Sequence, residues 1–127
     1  MKLLLDTHTF LWFIEDSPRL STDAKNLLES DADLLLGIAS LWEIAIKVGV
    51  GKIALARPFD VLIPEQLAKN VIEVLAIEVA HLAMVSTLPF HHRDPFDRLL
   101  IAQAVIENLQ IVSADDKFDD YPVKRLW

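Results

Sequence analysis

The sequence has no cysteine, which removes disulfides and thiolate metal sites and suits a reducing compartment. Glycine occurs only three times in 127 residues, leaving little material for a glycine-rich phosphate loop. No apolar run reaches the ~18 residues that suggest a membrane span. Asp6 interrupts Leu3-Leu4-Leu5 before that run resembles a signal peptide. The expectation is a chain that starts at Met1, stays in the cytoplasm and avoids membranes. Basic residues are also scarce, with 12 Lys and Arg against 19 Asp and Glu, a formal charge of −7. Phosphate contacts normally need the opposite balance. Acids that converge on divalent cations reverse the local sign, however, and an acidic chain also suits a basic protein partner.

What is present is apolar material. At 53% hydrophobic residues the chain can fill one core, so a single domain over residues 1–127 is expected. Short apolar runs at Lys2–Leu5, Leu34–Ile38, Ile72–Ala76 and Gln110–Ser113 suit strands buried on both faces, and 123–127 offers a fifth. Between them, helical periodicity covers Thr9–Glu15, Ser21–Ser30, Leu41–Val50, Phe59–Asn70, Glu78–Leu88 and Pro95–Asn108. Strands alternating with helices predict an α/β domain, a mostly parallel sheet of four to five strands between helical layers. Such sheets place their chemistry at the carboxyl ends of the strands.

Asp6 and Asp115 stand just past two of the apolar runs. Asp6 reads equally as a helix N-cap, with Thr7 and Thr9 beside it. Asp115 has a neighbour, Asp116, and the pair can be a polar turn before Phe118; the nearer acid is favoured for a site at the strand's end. Glu43 lies at helical spacing from Trp42, Ile46 and Val50, an apolar stripe, while Ser40-x-x-Glu43 also matches a capping box. Asp94-Pro95 has the form of a helix start with Asp94 as cap. Asp97 shares a face with Leu100, Ile101 and Ala104, so its carboxylate starts toward the core and needs a partner. Oxygen ligands without cysteine suit Mg²⁺ or Mn²⁺.

The blocks Leu-Leu-Asp6-Thr-His-Thr-Phe-Leu-Trp, Ser40-Leu-Trp-Glu43-Ile-Ala-Ile-Lys47, His92-Arg-Asp-Pro-Phe-Asp97-Arg and Ser113-Ala-Asp115 resemble, in order and spacing, the acidic blocks of PIN domains. The likeness is nearest to the VapC-like toxins of toxin–antitoxin pairs. It implies a PIN-like three-layer sandwich and an acidic pocket holding one or two Mg²⁺ or Mn²⁺ ions. It further implies RNA as substrate, a cognate antitoxin and a homodimer. The family's four acids fall on Asp6, Glu43, Asp97 and Asp115, with Asp94 and Asp116 as possible supports. A bound ion would activate water for hydrolysis, leaving 5′-phosphate and 3′-hydroxyl ends.

Lys47, Lys52, Arg93, Arg98 and Lys117 are candidates for substrate binding, each with an alternative as a solvated or ion-paired charge. His8 is a candidate substrate contact, or an ordinary surface or core histidine. Trp12 and Phe13 read as core rather than stacking platforms. Two rivals remain: a metal-dependent phosphohydrolase of small phosphoesters, and a PIN scaffold that binds RNA or a partner without cutting.

Overall fold

A computed structural model describes all 127 residues. Five strands form one sheet: β1 (Lys2–Leu5), β2 (Asp33–Gly37), β3 (Ile72–Leu75), β4 (Gln110–Val112) and β5 (Arg125–Leu126). Six α-helices accompany them: α1 (Thr7–Ile14), α2 (Thr22–Leu28), α3 (Ile38–Gly49), α4 (Phe59–Lys69), α5 (Val79–Val85) and α6 (Pro95–Glu107). A short 3-10 helix over Asp116–Asp120 occupies the stretch expected as a turn. Every strand pairing is parallel, in the order β3-β2-β1-β4-β5. No helix is long and apolar enough to cross a membrane.

The apolar runs are buried on both faces because alternate residues serve two cores. Leu3, Leu5, Leu34, Leu36 and Val112 pack with Phe10, Ile44 and Ile63 from α1, α3 and α4. Leu4, Leu35 and Ile111 pack on the other face with Leu100, Ile101 and Ala104 of α6 and with Phe118. A period of two along each strand thus divides one leucine-rich run between two helical layers.

The chain leaves β1 toward β2 and β3, then returns to lay β4 and β5 on the opposite side. The direction of winding therefore reverses between β1 and β4, and a crevice opens at their carboxyl ends. The two acids that follow those strands, Asp6 and Asp115, stand at this crevice.

The largest departure from the sequence expectation is the start of α3. Strand β2 ends at Gly37, which serves directly as the helix N-cap without a side-chain bond, so the helix starts at Ile38 rather than Leu41. Ser40 then lies inside the first turn, and the Ser40–Glu43 capping box does not form. The apolar stripe is also rotated from the expected one. Ala39, Ser40, Leu41, Glu43 and Ile44 are buried, whereas Trp42, Ile46 and Val50 face outward. Gly37 lies close to α6: a Cβ there would sit 3.2 Å from Gln103 Oε1 and 3.3 Å from a Leu100 methyl, so those side chains would have to give by a few tenths of an ångström.

Candidate active site

Asp6 performs two tasks. As N-cap of α1 its Oδ1 accepts from the Thr9 amide at 2.9 Å, the role that the flanking threonines suggest. Its Oδ2 accepts a 2.6 Å hydrogen bond from the Ser113 hydroxyl at the end of β4. Ser113 Oγ in turn accepts from the Asp115 amide at 3.0 Å, which ties the two strand-end acids through one hydroxyl. Asp115 caps the 3-10 helix through Oδ1 and the Lys117 amide. Its Oδ2 lies 3.2 Å from His92 Nε2.

Glu43 is 4% exposed although it sits in the second turn of a helix. Its Oε1 accepts from Thr7 Oγ1 at 2.6 Å, and its Oε2 accepts from Lys47 at 2.7 Å. Lys47 is half-buried in this pair, so its first duty is to balance Glu43. Because Thr7 adjoins Asp6 in the chain, a continuous path runs from Glu43 through Thr7 and Asp6 to Ser113, Asp115 and His92.

Asp97 closes the group. Asp94 caps α6 by accepting from the Phe96 and Asp97 amides, with Pro95 in the first turn, as the Asp-Pro pair predicts. Asp97 follows one turn in, and its face-mates Leu100, Ile101 and Ala104 are all in the core. Burial pushes its carboxyl up to about 8, and the neighbouring carboxylates of Asp94, Asp6, Glu43 and Asp115 push the same way. The structure thus brings Asp6, Glu43, Asp97 and Asp115 to one crevice. Asp116 is exposed and does not contribute to this field.

His92 is the contact that residue patterns alone miss. It is buried, and its Nε2 stands 3.0 Å from Asp97 Oδ2 as well as 3.2 Å from Asp115 Oδ2. Its Nδ1 accepts from the Asp94 amide at 3.2 Å, which leaves the hydrogen on Nε2, between the two acids. The His92, Asp97 and Asp115 polar atoms all lie within 4.8 Å of one another; with its hydrogen on Nε2, His92 is the donor that holds the two acids together, and the carboxylates are the groups left to hold an ion. Clustered carboxylates with hydroxyl supports match the oxygen preference of Mg²⁺ and Mn²⁺, and Asp94, Asp6, Glu43 and Asp115 all act on the buried Asp97 carboxyl as like charges. The residues present therefore fit a divalent cation. The position of His92 immediately before the Arg-Asp-Pro-Phe-Asp block was the one available sequence signal.

The basic candidates divide. Arg98 is buried and cannot meet a substrate: its guanidinium donates to the carbonyls of Val85, Leu88, Pro89 and His92 and lies 3.9 Å from the centre of the Phe90 ring. Its position on the inner face of α6, next to Leu99 and Leu100, is the reason. Lys52, Arg93 and Lys117 are exposed, without carboxylate partners. Trp12 and Phe13 are half-buried and pack on the core as expected.

The PIN domain family pattern matches residues 3–124. Among curated proteins, Ribonuclease VapC22 of Mycobacterium tuberculosis (strain ATCC 25618 / H37Rv) is 30% identical over 116 residues, 89% of this chain and 86% of that protein. Among solved structures, VapBC2 from Rickettsia felis, bound to a promoter DNA fragment, superposes with a TM-score of 0.75 at 18% identity, covering 99% of this chain and 98% of the other. DNA-bound VapBC from Salmonella typhimurium gives 0.71 at 19% identity, covering 99% and 97%. FitAcB from Neisseria gonorrhoeae gives 0.68 at 17%, covering 98% and 96%. With the sequence match spanning nearly the whole chain and the sheet order and acid crevice in place, the protein belongs to the PIN-domain family and is VapC-like.

Proposed function

We propose that this chain is a metal-dependent endoribonuclease, the toxin of a toxin–antitoxin pair, acting as one PIN unit over residues 1–127 in the cytoplasm. The observation that carries the reading is the convergence of Asp6, Glu43, Asp97 and Asp115, linked through Thr7 and Ser113, in a chain 30% identical to a ribonuclease. Asp6, Asp97 and Asp115 are assigned as direct holders of Mg²⁺ or Mn²⁺, one or two ions, with Glu43 completing the set. Asp115 is chosen over Asp116 because its carboxylate reaches His92 beside Asp97.

A divalent ion supplies, when bound, activation of water and neutralisation of charge on the phosphoryl group. The protein's residues supply position. Ser113 and the Thr9 amide fix both oxygens of Asp6, Thr7 and Lys47 fix those of Glu43, and His92 holds Asp97 and Asp115 together. A bound cation would oppose the burial and like charge that raise the Asp97 carboxyl and would favour its ionised form. Lys52, Arg93 and Lys117 are free to meet phosphates along the strand. A toxin–antitoxin complex from Klebsiella pneumoniae is among the solved structures of similar fold, which supports an antitoxin partner, and a homodimer is part of the same proposal.

Purified protein incubated with a panel of RNAs in Mn²⁺ or EDTA, followed by mapping of the ends, tests the activity. Cleavage in Mn²⁺ alone, leaving 5′-phosphates, is expected. The Asp6→Asn variant should fold, since Asn keeps the capping oxygen, and should not cut. Full cleavage by that variant removes Asp6 from the ligand set.

A further inference from the structure

Beside the acids, on the α1 side, lies a cavity of about 330 Å³ lined by Asp6, His8, Trp12, Arg19, Ala114 and Asp115. Its size falls at the lower end of the roughly 300–1,000 Å³ of sites that hold small molecules. Two of the acids form one wall. The rest of the lining has a different chemistry, which the metal site does not use.

Trp12 is anchored, because it packs on the core and meets the Trp127 ring at 5.8 Å with the planes 60° apart. Against it stands the exposed His8 ring, 5.8 Å away and tilted by 46°. Arg19 is exposed, and its guanidinium forms no ion pair although Asp6 and Asp115 line the same cavity. Its backbone is held by the Ser17 hydroxyl, which accepts from the Arg19 amide at 3.2 Å. A cation without a carboxylate, in a chain of net charge −7, is available to an anion.

We propose that this cavity is a nucleotide subsite: it takes one unpaired nucleotide of the RNA next to the bond that is cut. The base lies against Trp12 and His8, and its phosphate meets Arg19. An aromatic surface accepts any base through its π-face, whereas a guanidinium gives directed bonds to phosphate oxygens. Bases in a duplex are stacked on one another and cannot enter, so the subsite selects single-stranded segments. The proposal rests on the ribonuclease reading above and assigns to Trp12 a second surface besides its core contact.

Its test uses probes that cannot be cut. The full-length protein in Mg²⁺ is titrated with AMP, CMP, GMP, UMP and ribose 5-phosphate while the three tryptophan indole N–H signals are followed by NMR. The Trp12 signal, assigned with Trp12→Phe, should move with the nucleotides and not with ribose 5-phosphate, and Arg19→Gln should weaken that binding. With single-stranded RNA, Arg19→Gln and His8→Ala should raise KM by about tenfold, the scale of one lost stacking or phosphate contact, with kcat and Mn²⁺ affinity near wild type. Both side chains are exposed, so folding is preserved. A Trp12 signal that no nucleotide moves, a shift confined to Trp42, or an unchanged KM in both variants overturns the subsite. If the wild-type protein cuts no RNA, the ribonuclease reading fails instead, and the nucleotide titration alone then decides whether the cavity binds nucleotides.

Discussion

Asp97 shows how burial and like charge act on one side chain. Its carboxyl, ordinarily near 3.8, is raised to about 8, first by desolvation and then by Asp94, Asp6, Glu43 and Asp115. Between those two values the folded protein binds more protons than the unfolded chain, so its stability falls as pH rises from about 4 to about 8. Thermal unfolding in EDTA should show this loss. Asp97→Asn, neutral at every pH, should be more stable than the wild type at pH 8, lose most of the pH dependence and cut no RNA. A wild-type profile that is flat in EDTA would contradict the assignment. The residue also marks the boundary of sequence reading: its inward direction follows from Leu100, Ile101 and Ala104, but its neighbours do not. Ser113 reaches Asp6 across 107 positions of sequence, and no local pattern contains that distance.

At the scale of elements, the helix ends contain both good and poor local chemistry. Helix α4 ends at Lys69 with Asn70 as its C-cap, and Val71 follows with φ of 52°, a left-handed conformation in a β-branched residue that is 82% exposed. Such a conformation costs an L residue roughly 1–2 kcal/mol, and glycine is the usual occupant. Val71→Gly should therefore raise the stability measured by chemical denaturation by about 1 kcal/mol, after the added chain entropy of glycine is offset, without altering the acid crevice. The opposite result is expected at Arg98. Its removal takes the side-chain donor from the Leu88 and His92 carbonyls, while the Val85 carbonyl keeps the Leu88 amide and the Pro89 carbonyl keeps the Tyr121 hydroxyl, and Arg98→Met should destabilise by about 1–3 kcal/mol, as for other buried groups deprived of a partner. Since that segment carries His92, Mn²⁺ affinity should fall as well, which calorimetry can measure. Neither feature is visible in the sequence. Arg98 reads in sequence like any cation near an acidic block, and the start of α3 was hidden because β2 enters the helix at Gly37 with no loop between them.

For the whole molecule, the net charge of −7 is not spread evenly in its consequences. On the proposed ribonuclease reading, the acids at the crevice would repel phosphate until a cation is bound, and Lys52, Arg93, Lys117 and Arg19 would be the groups left to meet RNA. Expression in growing bacteria should arrest growth, with Asp6→Asn harmless and co-expression of the cognate antitoxin restoring growth. Counts of viable cells after induction provide the check, and unimpeded growth at high expression would remove the toxin role. The sequence by itself determined the alternation of strands and helices, the buried character of each strand and the positions of the acids at strand ends. These follow from periodicity, burial and capping, which are properties of neighbouring residues. Only the tertiary structure decided which charges lose their water: it buried Glu43 and Arg98, placed His92 between Asp97 and Asp115, and set Arg19 beside Trp12. The cause is physical, since a side chain's charge and partners depend on what packs against it from distant parts of the chain. Alternation along a strand, in contrast, is set by the backbone at that place.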